Sequence, residues 1–235
     1  MNIENVRMLE LAAEYLDDLL DEVVFVGGAT VELWVTDEAA PEFRPTDDID
    51  VIVEITTRRD YYRFEKKVRH AGLENDHESG VICRFKHPNS GLLLDVMPTE
   101  ASILGFRNRW QAEAFPHAIE VQLPSGQIIR AIPPAYLLAT KLEAFRTRGK
   151  EDFYGSRDFS DVVVLVDGRE ELLDEVAAAP EPLRVYLAGQ LEELSGHPAF
   201  DNGLEGALPS APETQERVEL VIRPRISTII AAGPS

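Results

Sequence analysis

The stretch Thr46-Asp47-Asp48-Ile49-Asp50-Val51-Ile52-Val53 decides the reading of this chain. Its alternation predicts a strand running from Asp48 to Ile55. Successive side chains of a strand point to opposite faces, so Asp48 and Asp50 emerge together while Ile49, Val51 and Val53 enter a core. Two carboxylates held parallel repel each other unless something neutralises them. A divalent cation is the usual neutraliser, and Mg²⁺ favours carboxylate and phosphate oxygens. The pair is therefore a candidate metal platform for phosphoryl chemistry.

Upstream, residues 3–22 carry apolar side chains at helical spacing, and Val23-Val24-Phe25-Val26 reads as a short buried strand that Gly27-Gly28 ends. Ala29 to Val35 reads as the following helix, and Thr36 to Pro45 as a loop. Downstream, Thr56 or Thr57 caps a helix running to about His70, which Gly72 terminates. Val81-Ile82-Cys83-Arg84-Phe85 and Leu92-Leu93-Leu94-Asp95-Val96-Met97 read as strands around a turn at His87-Pro88-Asn89-Ser90-Gly91. A second hairpin spans Ile119 to Ile132 and turns at Pro124-Ser125-Gly126.

Pro133-Pro134 opens a helix through about Arg148, and helices are expected at Phe159–Val166, Glu170–Ala178 and Pro182–Leu194. Residues 195–212 are rich in proline and glycine and read as an irregular link, followed by a last helix over Glu213–Ala231 that Pro224 interrupts or delimits. The expected class is α+β: a mixed-sheet core over residues 1–132, then a mostly helical half over 133–235.

Asp95 stands in an apolar frame where a lone carboxylate is costly to bury. As a third metal-facing carboxylate on a strand next to Asp48 and Asp50, it is accounted for. Three carboxylates can hold one or two Mg²⁺ ions against a triphosphate. Gly27-Gly28, at a strand-to-helix junction, lets backbone approach phosphates, and the helix behind it is expected to offer N–H groups and a positive dipole end. Thr46 adds a hydroxyl, for the phosphates or for a loop hydrogen bond.

Composition narrows the partners. At 235 residues, 44% hydrophobic and 28% charged, the chain reads as an ordinary globular protein. It has no apolar run of about 18 residues and no signal-peptide layout, so a cytoplasmic location and no membrane partner are expected. One cysteine, Cys83, excludes an internal disulfide and a cysteine-rich zinc site. A net charge of −19 argues against sequence-independent nucleic-acid binding by the whole surface. Local basic clusters remain: Arg58, Arg59, Arg63, Lys66, Lys67 and Arg69, then Lys141, Arg146, Arg148, Lys150 and Arg157. The first reads as a solvated helix face or as a contact for an anionic substrate. The five histidines are scattered and read as surface or turn residues.

Gly27-Gly28, Asp48-x-Asp50 and Asp95 resemble the nucleotidyltransferase superfamily that shares a polymerase-β-like core. Within it the chain resembles the AbiEii-like family, which includes nucleotidyltransferase toxins of type IV toxin–antitoxin systems. Arg44-Pro45-Thr46-Asp47-Asp48-Ile49-Asp50 is similar to that family's Arg-x-Ser/Thr-x-Asp-x-Asp pattern. Lys141-Leu142-Glu143-Ala144-Phe145 followed by Arg148 resembles its Lys-x-x-Ala-x-x-x-Arg helix, and Arg157-Asp158-x-x-Asp161-Val162 its Arg/Lys-Asp-x-x-Asp-Leu motif. The likeness covers residues 23–166 and leaves the C-terminal end without a counterpart.

The resemblance implies that Asp48, Asp50 and Asp95 hold Mg²⁺ or Mn²⁺ and carry catalysis. It implies that Gly27, Gly28 and Thr46 line an NTP triphosphate, with Lys141 meeting a phosphate and Arg148 supporting it. Asp158 or Asp161 would sit near Lys141; the residues around Glu151–Gly155 lengthen that link, so both aspartates stay open. Nineteen residues separate Gly28 from Asp48, and Asp47 is an alternative to Asp48 with the wrong strand parity. The implied activity is Mg²⁺-dependent transfer of a nucleoside monophosphate from an NTP to a hydroxyl, on a tRNA 3′ end or a protein, in an enzyme paired with a cognate antitoxin. The alternatives are a small-molecule, antibiotic-type nucleotidyltransferase and a non-catalytic NTP-binding or partner-binding module.

Overall fold

The computed structural model describes residues 3–42, 44–105, 108–148 and 152–233. The chain forms two compact units. One takes the chain up to Leu33 and Arg44–Pro133; the other takes the segment opening at Trp34 and the chain from Pro134 onward.

The first unit is built on a mixed sheet. Its strands are β1 (Val23–Val26), β2 (Ile49–Val53), β3 (Glu74–Asn75), β4 (Arg84–Lys86), β5 (Leu93–Pro98), β6 (Ile119–Gln122) and β7 (Ile128–Ala131). Among the described residues they form one seven-stranded sheet in the order β3-β4-β5-β2-β1-β7-β6. β2 lies between antiparallel β1 and parallel β5, so the aspartate strand is central. Ile49, Val51 and Val53 are fully buried with Phe25, Leu94 and Val96 on one face of this sheet, as the alternation predicts.

Helices α1 (Ile3–Leu16) and α3 (Arg58–His70) contribute Leu9, Leu16, Phe64 and Val68 to that core. Thr57 caps α3 by accepting a hydrogen bond from Asp60 N, and Gly72 follows it with φ +89°. Tyr61 Oη donates to Val96 O at 2.9 Å, tying α3 to β5. Between them, α2 (Val31–Trp34) is a single turn. After β5 come two short helices, α4 (Ala101–Leu104) and α5 (Arg109–Ala114).

Val81–Cys83 is not the strand that its β-branched residues predict. Asp76 Oδ1 accepts hydrogen bonds from Glu78 N and Ser79 N, and Arg84 N closes a turn onto Val81 O. Ile82 is left 71% exposed, and pairing begins at Arg84.

The second unit is helical: α6 (Pro134–Thr147), α7 (Arg157–Gly168), α8 (Leu172–Ala178), α9 (Glu181–Ser195), α10 (Phe200–Gly206), α11 (Pro212–Arg217) and α12 (Arg223–Ala231). The segment from Trp34 belongs here because Thr36 N and Asp37 N both donate to Gly168 O. Arg217 then bridges Asp37 and Asp167. The expected irregular link at 195–212 instead contains α10. Phe200 and Leu204 are buried there, and Gly203 lies against Phe153 and Phe159, where a Cβ would come within 2.8 Å. Pro224 delimits the last helix, standing in the first turn of α12, and one π-helical turn, Val218–Ile222, joins α11 to it.

Candidate active site

Strand register assembles the site. Asp50 of β2 pairs with Val26 on one side and with Asp95 of β5 on the other, and Asp95 pairs in turn with Arg84 of β4. Val26, Asp50, Asp95 and Arg84 therefore form one rung across four strands, with neighbouring strands about 4.8 Å apart. Leu94 and Val96 fill the core face, which turns Asp95 to the face that Asp50 occupies. Two carboxylates side by side on one rung require a compensating charge.

Arg84 supplies part of it. Its Nε donates to Asp95 Oδ1 at 2.8 Å and its Nη2 to Asp95 Oδ2 at 2.8 Å, a side-on fork. The same Nη2 donates to Asp48 Oδ2. These hydrogen bonds, with the charges of the three aspartates, hold the guanidinium well above its ordinary pKa. Asp48, not the exposed Asp47, thus joins Asp95. Beside them, burial first and then Asp95 and Asp50 push the Cys83 thiol up to about 12, which leaves it an inert thiol at neutral pH.

Gly27 is dictated twice. Its φ is +82°, and a Cβ on it would lie 2.0 Å from Asp50 Oδ2, so the carboxylate occupies the space a side chain would need. Gly28 follows in the same bend, and its carbonyl accepts from Val31 N. The dipole expected behind this glycine pair is absent: α2 has four residues, too few for appreciable macrodipole. Any phosphate contact here falls to the glycine backbone.

Thr46 is buried and held by Asn5 of α1. Its N–H donates to Asn5 Oδ1 at 2.8 Å, its hydroxyl lies 3.4 Å from the same oxygen, and Asn5 Nδ2 donates to Arg44 O at 3.0 Å. Asn5 thereby anchors the segment leading into Asp48.

In the second unit, Lys141 of α6 meets both candidate aspartates of α7. Its Nζ lies 2.5 Å from Asp161 Oδ2 and 3.5 Å from Asp158 Oδ1. Arg148 Nε and Nη2 donate to Asp158 Oδ2 and Oδ1 at 2.8 and 2.9 Å. Asp161 is fully buried, while Asp158 serves two cations. Burial raises the Asp158 carboxyl, but the Arg148 hydrogen bonds and the Lys141 charge outweigh it and hold it below its ordinary value. Lys141 and the two aspartates are buried, whereas the Arg148 side chain closes the network from the exposed side. Of the remaining second basic cluster, Arg146 pairs with Glu193 at 3.3 Å, and Lys150 lies outside the described residues, as does Glu151.

The 58–70 cluster is a real basic face. Arg59, Arg63, Lys66, Lys67 and Arg69 are exposed on α3 around Tyr62, itself 58% exposed, although Arg63 and Lys67 pair with Asp60 and Glu22.

The carboxylate set fits a hard divalent cation by its donors: Asp48, Asp50 and Asp95 offer only oxygen, on one sheet face, and already draw a cation to themselves. As they stand they do not form a metal site: among the described residues no group of three or more His, Cys, Asp or Glu side chains is placed to hold a metal ion, and Arg84 occupies oxygens of Asp95 and Asp48. Arg84 was missed by sequence reasoning, although counting equal steps outward from the His87–Leu92 pair that closes the turn sets it against Asp95. Asn5 carried no signal, being 41 residues from Thr46.

The comparison with known families gives the class: the chain is of the nucleotidyltransferase type. The family model for the AbiEii nucleotidyl transferase toxin of type IV toxin–antitoxin systems matches residues 11–225, and the chain belongs to that family. The match extends well beyond residues 23–166 and takes in most of the C-terminal helices. No curated protein matches the chain. No helix among the described residues is long and apolar enough to cross a membrane.

Proposed function

We propose that the protein is a cytoplasmic, metal-dependent nucleotidyltransferase that moves a nucleoside monophosphate from an NTP to an acceptor hydroxyl. The observation that carries this reading is the rung on which Asp50 stands beside Asp95, with Asp48 drawn to the same guanidinium. Asp48, Asp50 and Asp95 hold Mg²⁺ or Mn²⁺. When bound, such an ion polarises the α-phosphate and stabilises the leaving pyrophosphate. Gly27 and Gly28 leave the backbone open to the triphosphate beside Asp50. Thr46 lines the same segment and keeps the approach to Asp48 fixed through Asn5. Lys141, Arg148, Asp158 and Asp161 are assigned to nucleotide binding by the family resemblance, and the buried pairing of Lys141 with both aspartates supports an ammonium held in one place.

For the acceptor, the basic face of α3 with exposed Tyr62 supports RNA such as a tRNA 3′ end, since cationic side chains meet phosphates and an aromatic ring stacks on bases. A protein hydroxyl is the other toxin-type acceptor. The net charge of −19 supports a second reading, a small cationic acceptor of the antibiotic type. Family membership also points to a cognate antitoxin as partner.

The test is pyrophosphate release from NTP in the presence of Mg²⁺ and candidate acceptors. Release is expected from the wild type and lost in Asp48→Ala and Asp50→Ala; undiminished release in both removes the proposed mechanism. NTP binding with no pyrophosphate from any acceptor leaves the binding-module alternative. Charge reversal at Arg59 and Lys66 should weaken use of tRNA while NTP binding holds, and unchanged tRNA use rejects the α3 contact.

A further inference from the structure

We propose that Arg84 is a built-in counter-cation of the carboxylate centre, one that grips Asp95 permanently and competes with the metal for Asp48. The inference rests on the metal-dependent reading of this centre. Arg84 stands opposite Asp95 in the β4–β5 register and binds it through two N–H groups, whereas it holds Asp48 through Nη2 alone. That Nη2 is already shared with Asp95.

The two partners also differ in burial. The Asp95 side chain is 10% exposed and that of Asp48 32%. An oxygen donating its lone pair to a guanidinium N–H is less available to a metal. The bond to Asp48 is single, shared and closer to solvent, so it is the one that yields when a divalent cation enters. The fork to Asp95 is double, more buried and fixed by strand register, so it persists, orients that carboxylate and leaves the second lone pair of each oxygen for the metal.

Arg84 is therefore a positioning residue for Asp95 and, at the same time, the cation that keeps three neighbouring carboxylates compatible without metal. Its pull on the centre has a size. A unit charge about 6 Å from a divalent ion, at the dielectric of water, changes affinity about tenfold, and more in a drier site.

The experiment measures Mn²⁺ binding to the nucleotide-free protein by electron paramagnetic resonance, together with melting in EDTA and in saturating Mg²⁺. Arg84→Gln should bind Mn²⁺ about tenfold more tightly than wild type. It should melt below wild type in EDTA and recover in Mg²⁺, a metal-conditional deficit that loss of packing alone does not produce. Arg84→Lys keeps the charge without the fork, and its Mn²⁺ affinity should stay near the wild-type value. Arg84→Met, which retains an apolar stem, gives the same readout if the glutamine variant does not fold. Wild-type Mn²⁺ binding that neither neutral variant strengthens, or that glutamine and lysine alter equally, overturns the assignment to Arg84 and leaves the metal centre standing. Mn²⁺ binding by none of the proteins overturns both.

Discussion

Replacing Gly27 by alanine tests the site with a magnitude that follows from its geometry. The position has φ +82°, a left-handed conformation that costs a residue with a Cβ about 1–2 kcal/mol. The new Cβ would stand 2.0 Å from Asp50 Oδ2, where contacts below 3.0 Å essentially never occur, so the carboxylate must retreat by about 1 Å. Asp50 cannot take its backbone along, because β2 is paired on both sides. A displacement of about 1 Å among reacting groups costs on the order of 10²-fold in rate.

Gly27→Ala should therefore lower the melting midpoint by about 2–8 °C. NTP-dependent transfer should fall on the order of 10²-fold. Gly91→Ala is the control: its φ is +74°, but nothing lies within 4 Å of the added Cβ. That variant should lose stability and keep activity. The assay is transfer rate under saturating Mg²⁺ alongside thermal melting. A fully active Gly27→Ala protein, or equal activity losses in both variants, would refute the argument that Gly27 exists to admit Asp50.

Lys141→Met removes the ammonium that meets Asp161, 0% exposed, and should cost about 3–5 kcal/mol in urea unfolding; a loss below about 1 kcal/mol would show the network to be loosely solvated. Asn5→Ala removes the hydrogen bonds from Asn5 to Arg44 and Thr46 and should destabilise by about 1–3 kcal/mol while slowing turnover; unchanged kinetics would detach that segment from the site. The pH prediction takes its sign from Asp158, whose carboxyl is held below its unfolded value of 3.8. Its stabilising contribution is complete above that value and disappears as pH falls through the lowered folded one. Urea midpoints measured from pH 5 downward should thus decline more steeply in wild type than in Asp158→Asn, and parallel curves would contradict the ion pairs.

The aspartate strand was legible because period-two alternation and burial agree: Ile49, Val51 and Val53 reach the core, and Asp50 stands on the other face. The α3 boundaries were legible for local reasons, a threonine cap and a glycine with positive φ. What escaped was set by distant parts of the chain. Val81–Cys83 has strand propensity, but the Asp76 turn consumes it before pairing begins. Helix α10 forms in a glycine-rich stretch because Gly203 lets it press on Phe153 and Phe159, a tertiary cause. The carboxylates could be named from sequence, but their counter-cation could not be weighed until register set Arg84 against Asp95.

The most direct measurement compares two labels. Protein, Mg²⁺ and acceptor are incubated with NTP carrying ³²P at the α or at the γ position, for wild type and Asp95→Asn. The account predicts that the α label, and not the γ label, enters the acceptor, only with divalent metal, and not in the variant. Incorporation of the γ label, or α-label transfer that survives loss of the Asp95 carboxylate, would contradict it.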